Sequence, residues 1–153
     1  LTQKLFLPSV HQDGVREAQI MAELIAAAPW QKRKNVVIHP DLMLAAQAKA
    51  NDMAEKDYFG HVSPDGFTAN ENVRVFYALP SHYVLKGNNV ESLSIGGSTP
   101  EQIVSSLYDS PRHHDHLTGD HSFYAGQTAI GTGVSKAKDG RKLWVFVSAP
   151  SNG

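Results

Sequence analysis

Lys142-Leu143-Trp144-Val145-Phe146-Val147-Ser148 is the stretch from which the rest of the chain can be placed, together with Thr128-Ala129-Ile130-Gly131-Thr132-Gly133-Val134 before it. Both runs are rich in β-branched and aromatic residues, and Asp139-Gly140 lies in the connection, so the pair reads as an antiparallel hairpin. Trp144 and Phe146 alternate with Val145 and Val147. One face of the strand should therefore be buried, and the other is apolar enough to be covered too. Gly131-Thr132-Gly133 lacks the lysine and the following helix of a phosphate loop; it reads as a strand against which another element packs closely.

Upstream the period changes from two to that of a helix. Ala18, Met21, Leu24, Ile25 and Ala28 recur at helical spacing from a start at Asp13, whose carboxylate can cap, and Pro29 stops the run. A second helix opens at Pro40 and ends at Lys56-Asp57, with Leu42, Ala45, Ala46, Ala50, Met53 and Ala54 on one face. So many alanines on one face predict a close approach to another layer. Ser63-Pro64-Asp65-Gly66 is a turn signal, and a short helix is expected over Ala69–Phe76. Thr99-Pro100-Glu101-Gln102 has the pattern of a capping box; its helix turns Ile103, Val104 and Leu107 inward and ends at Pro111. Helices first and strands late predict an α+β fold, a three-layer α-β-α sandwich with a central antiparallel sheet. Residues 1–12 read as an N-terminal stub or linker and 13–153 as the domain.

The 153 residues carry a net charge of −1, which argues against a nucleic-acid footprint, and no run is apolar for long enough to cross a bilayer. The absence of cysteine excludes a disulfide scaffold and a thiol nucleophile. The chain begins at Leu1; the expectation is a preceding segment that could carry a secretion signal. The eight histidines predict a protein that turns cationic below about pH 6.

Three stretches could carry chemistry. His61 precedes the Ser63 turn, Glu91 lies in the extended run Val90-Glu91-Ser92-Leu93, and His113, His114 and His116 follow Ser110-Pro111-Arg112, with His121 close behind. Imidazole and carboxylate are the usual zinc ligands and the usual acid–base pair. His11, His39 and His82 read as surface or structural residues, and Lys32-Arg33-Lys34 as a solvated basic loop. The 113–121 cluster stands evenly between a site and a solvated helix end, where the helix dipole also favours histidine.

In order and spacing these motifs resemble the bacterial branch of the CAP superfamily, which comprises cysteine-rich secretory proteins, antigen 5 and pathogenesis-related class 1 proteins. The resemblance runs over residues 15–148 and rests on Tyr58-Phe59-Gly60-His61 with Ser63-Pro64-Asp65-Gly66, Val90-Glu91-Ser92-Leu93, Thr99-Pro100-Glu101, Ser110-Pro111-Arg112-His113-His114 and Ile130-Gly131-Thr132-Gly133. It implies an extracellular or cell-envelope location and a cleft of His61, Glu91 and His113. Val90, Ser92 and Leu107 depart from the usual glycine, asparagine and tryptophan, and Ser110 stands where animal and plant members place a second glutamate. His121 is the alternative to His113 for the second histidine.

The expected function is a secreted domain whose histidine–glutamate cleft binds a ligand, with a divalent metal, zinc or magnesium, as one candidate held by His61, His113 and Glu91. A small molecule, a lipid or an extracellular protein would be the partner. The alternative is a metal-dependent hydrolase of peptides or esters. Ser63, Ser110, His114, His116 and His121 are secondary candidates.

Overall fold

A computed structural model describes residues 12–151. The stub up to residue 11, with His11, and the last two residues lie outside the described residues, as does the Asp13 side chain proposed as a cap. The elements in chain order are α1 (Gln12–Ala27), β1 (Val37–Ile38), α2 (Pro40–Lys56), α3 (Ala69–Phe76), β2 (Glu91–Ile95), α4 (Pro100–Asp109), α5 (His114–Thr118), α6 (Ser122–Ala125), β3 (Ala129–Lys136) and β4 (Lys142–Ala149). The strands form one sheet in the order β1-β3-β4-β2. β2, β4 and β3 are antiparallel, and the two-residue β1 adds a parallel edge beside β3.

Strand β4 is buried on both faces, and its alternation sorts the core into two layers. Leu143, Val145 and Val147 pack with Leu93 against α2 and α3. Trp144 and Phe146 pack with Ile130 and Val134 against Ala18, Met21 and Ile25 of α1 and Ile103 and Leu107 of α4. The indole of Trp144 donates to the Gly96 carbonyl at 2.8 Å, so its one polar group is satisfied. The result is the α-β-α sandwich.

The alanine face of α2 meets the glycine pair of β3. A Cβ added at Gly131 would lie 2.2 Å from the Leu42 carbonyl carbon, and one at Gly133 would lie 2.6 Å from that of Ala46. Helix backbone, at Leu42-Met43 and Ala46-Gln47, rests directly on strand backbone there, which glycine allows because it has no Cβ. Caps fix the helix starts. Pro40 is preceded by His39, whose Nδ1 accepts the Asp41 N–H at 3.1 Å, a structural use of that histidine. Thr99 with Gln102, and Thr68 with Glu71, close complete capping boxes on α4 and α3.

Arg33 corrects the sequence reading of a solvated basic loop. It is 5 % exposed, and its guanidinium donates to the carbonyls of Gln127 (2.7 Å), Leu117 (3.0 Å) and His116 (2.5 Å). Burial lowers its pKa to about 10. Arg33 thus ties the loop after α1 to α5 and to the approach to β3, and so helps to place the histidine segment.

Candidate functional site

His61 sits in the loop after α2. The loop is braced from behind: Tyr58 Oη donates to Asp52 at 2.5 Å, and Lys49 Nζ donates to the His61 carbonyl at 3.2 Å. The turn beyond is closed by Ser63. Its Oγ accepts the Phe67 N–H at 3.1 Å, its carbonyl accepts the Gly66 N–H, and Gly66 takes φ +83°. That is a structural use of Ser63, and this serine does not line the hollow described next.

Glu91 opens β2 and pairs with Val147 of β4. Asn88 shapes its approach: Oδ1 accepts the Val90 and Glu91 N–H groups at 3.1 and 2.8 Å, and Nδ2 donates to the Glu91 carbonyl at 3.0 Å. The Glu91 side chain is fully buried; Oε1 lies 2.8 Å from His61 Nδ1, and Oε2 has no hydrogen-bond partner among the described residues. A carboxylate oxygen accepts, so His61 Nδ1 carries a proton, and in the neutral ring Nε2 keeps its lone pair. Asn88 Nδ2, 3.2 Å from the same Nδ1, is then a second donor facing a donor and serves the Glu91 carbonyl instead.

His113 stands just ahead of α5 without capping it, and its Nδ1 shares a 2.8 Å hydrogen bond with Ser110 Oγ. Its pKa is lowered, first by burial, then by the charges of Arg112 and His61. His61, Glu91 and His113 border one hollow of about 120 Å³, with Asn88, Ser92, Arg112, His116 and Tyr124 also in its wall.

His116 is a buried core histidine. Gln127 Nε2 donates to Tyr83 Oη and to the Asn89 carbonyl, so its Oε1 accepts the Ser148 hydroxyl at 2.5 Å. Ser148, having spent its hydrogen, accepts from His116 Nε2 at 2.7 Å, which leaves Nδ1 to accept from Ser92 Oγ at 2.6 Å. This has the outline of a serine–imidazole pair, but the base is disarmed. Burial first, then the charge of Arg33, hold the His116 pKa well below its usual value, and Ser148 stands where a triad has a carboxylate.

The other candidates lie elsewhere. His114 Nδ1 donates to the Tyr108 carbonyl at 2.7 Å while its ring stacks edge-on against Tyr108. Exposed His121 caps α6 by accepting the Phe123 N–H at 3.1 Å. His114, Asp115 and Asp120 place ligand atoms within 4.8 Å of one another at the surface; among the described residues, His61, Glu91 and His113 form no group that tight. His82 is exposed and stacks edge-on against Tyr83. The sequence reading missed Asn88, Arg112 and Tyr124 as wall residues. Asn88, an Asx residue just ahead of a strand, was the detectable one, because such side chains bond backbone N–H groups two and three residues on.

A profile of the cysteine-rich secretory protein family (CAP) matches residues 29–148. The uncharacterized protein YkwD of Bacillus subtilis (strain 168) is 27 % identical over 103 residues, covering 67 % of this chain and 38 % of that protein. This chain therefore spans well under half of that relative. Among solved structures, an outer surface protein from Borrelia burgdorferi superposes with a TM-score of 0.63 at 18 % identity, over 92 % of this chain and 95 % of that one. An extracellular protein containing a SCP domain from Bacillus anthracis str. Ames gives 0.63 at 16 % identity, over 90 % of this chain and 42 % of that one. At such identity the superpositions speak for the fold. The profile spans most of the chain and the layered architecture agrees with it, so this chain belongs to the cysteine-rich secretory protein family, although it has no cysteine of its own.

Proposed function

We propose that this is an extracellular or cell-envelope binding domain whose hollow takes a small polar ligand, with a divalent cation as the first candidate. The observation that carries the reading is Glu91: a fully buried carboxylate with Oε2 unpartnered among the described residues, at the wall of a polar cavity. An unsatisfied buried acceptor costs about 1–3 kcal/mol, more when charged, so it is retained where something else completes it. A ligand bearing N–H or O–H, or a water carried by a bound cation, would do so.

The residues fit zinc better than magnesium. Glu91 holds the His61 Nδ1 proton, which is how a carboxylate orients a metal-binding imidazole through its far nitrogen. His61 Nε2 and His113 would be the nitrogen ligands and water would supply oxygen, with Glu91 orienting His61 from the opposite side of its ring; magnesium asks for an oxygen set that two imidazoles do not offer. The lowered pKa of His113 keeps its imidazole neutral, the form a metal takes. Lipid or protein partners would use other surfaces. The names of the two similar structures, an outer surface protein and an extracellular one, support the location.

Binding is favoured over hydrolysis. Ser63 is spent on its turn, and Ser92 faces a histidine that resists protonation. Calorimetric titration with zinc, cobalt and magnesium should show zinc heat in the wild type and none in the His61→Ala, His113→Ala double variant. Equal heat in both proteins, or none in either, overturns the metal reading.

A further inference from the structure

Lys49 is a buried lysine that the site as described does not use. It lies on α2, is 3 % exposed, and forms no ion pair among the described residues. Its ammonium donates to Tyr58 Oη at 3.3 Å and to the His61 carbonyl at 3.2 Å, and stands 4.9 Å from the centre of the Tyr58 ring. Burying an ammonium is costly unless it is met by acceptors and opposite charge. The acceptors here are the carbonyl of the candidate ligand His61 and the hydroxyl that Asp52 holds by accepting its proton. The opposite charges acting on Lys49 are those of Glu91 and Asp52, which raise its pKa against the larger lowering by burial. Lys49 thus touches the histidine through its backbone and feels the glutamate through its field.

We propose that Lys49 is a positioning residue for the hollow: it clamps the His61 backbone onto α2 so that the imidazole presents Nδ1–H to Glu91 and Nε2 to the cavity. The geometry explains why a loop histidine can hold one orientation. His61 has a side chain 41 % exposed, and Lys49 supplies the hold on its backbone from α2. Its ring meets Glu91 from a loop that could otherwise rotate. Lys49 also lines a pocket of about 450 Å³ shared with Tyr58 and Ser63.

The inference rests on the hollow being a binding site, and its test separates the two. Side-chain nitrogen–proton correlation spectra report the tautomer of each histidine without any ligand. In the wild type, His61 should appear with its proton on Nδ1 and His116 with its proton on Nε2. In Lys49→Met, His61 should lose the pure Nδ1–H signature while His116 keeps its own, and Lys49→Arg, which restores a charged donor, should bring His61 back. Zinc affinity should fall about tenfold in Lys49→Met and recover in Lys49→Arg. If Lys49→Met does not fold, Lys49→Gln, which keeps a donor without the charge, takes its place and should give an intermediate tautomer mixture. A His61 spectrum and a zinc affinity unchanged in Lys49→Met overturn the inference and leave the binding site standing. A His61 tautomer that responds to Lys49 in a protein that binds no zinc upholds the positioning role and overturns the metal reading.

Discussion

Glu91 Oε1 and His61 Nδ1 meet at 2.8 Å although the residues are 30 apart in sequence and one is fully buried while the other reaches solvent. The pair joins the first residue of β2, at one edge of the sheet, to a loop behind a helix. The charged acceptor is rigid and the imidazole is the adjustable partner, so changes at Glu91 should be read out at His61.

Glu91→Gln keeps an acceptor for His61 and removes the charge. Zinc affinity should drop by about 10- to 100-fold. Stability should change little or rise, since a buried carboxylate with one unmet oxygen is replaced by a neutral group. Calorimetry and urea melts on the same samples check both; a large loss of stability would mark Glu91 as a structural anchor instead.

Gly131→Ala should be among the most damaging single changes in the chain. Its new Cβ would lie 2.2 Å from backbone of α2, which cannot give way without lifting the helix. A loss of about 3 kcal/mol or more is expected in denaturant unfolding. Gly140→Ala meets nothing within 4 Å and differs only by its φ of +91°, so it should cost about 1 kcal/mol.

Acidification should weaken the fold through His116. Its folded pKa is depressed well below the usual value, so the unfolded chain takes up a proton first. The stability is complete above about pH 6.5, the unfolded value, and declines as the pH falls from there toward the folded pKa, by up to about 1.4 kcal/mol per pH unit. His113 shifts in the same direction and steepens the slope. Thermal unfolding from pH 7.5 to 4.5 should show this decline, flattened in His116→Gln. The expectation of broad cationic charging below about pH 6 thus needs amending for these two histidines, which resist it.

Arg33→Met should cost about 3 kcal/mol. The His116 and Gln127 carbonyls lose the guanidinium that meets them, and that of Leu117 is left with Gln31 Nε2 at 3.2 Å. Because those carbonyls belong to α5 and to the chain entering β3, zinc binding should weaken as well. Lys32→Met and Lys34→Met, on exposed neighbours, should change neither quantity measurably.

From the residues alone, α1 to α4, the hairpin and their order were legible, because caps, proline stops and the switch of apolar period from helix to strand are local effects, whereas the short α5, α6 and β1 carry too few residues to show a period. The Ala45–Ala46–Ala50 face and the Gly131/Gly133 pair even announced a close contact before either partner was placed. What only the tertiary structure decided was which polar side chains share a space. Ser63, His114 and His121 are spent on nearby backbone, whereas His116 is closed into a buried relay by Ser92 and Ser148 from two separate strands. Arg33 looks like its lysine neighbours in sequence, yet it is buried, because the carbonyls that satisfy it come from 83 to 94 residues downstream. Periodicity reports which face of an element is apolar; it carries no information on which distant donor will meet which acceptor, and the hollow is made of such meetings.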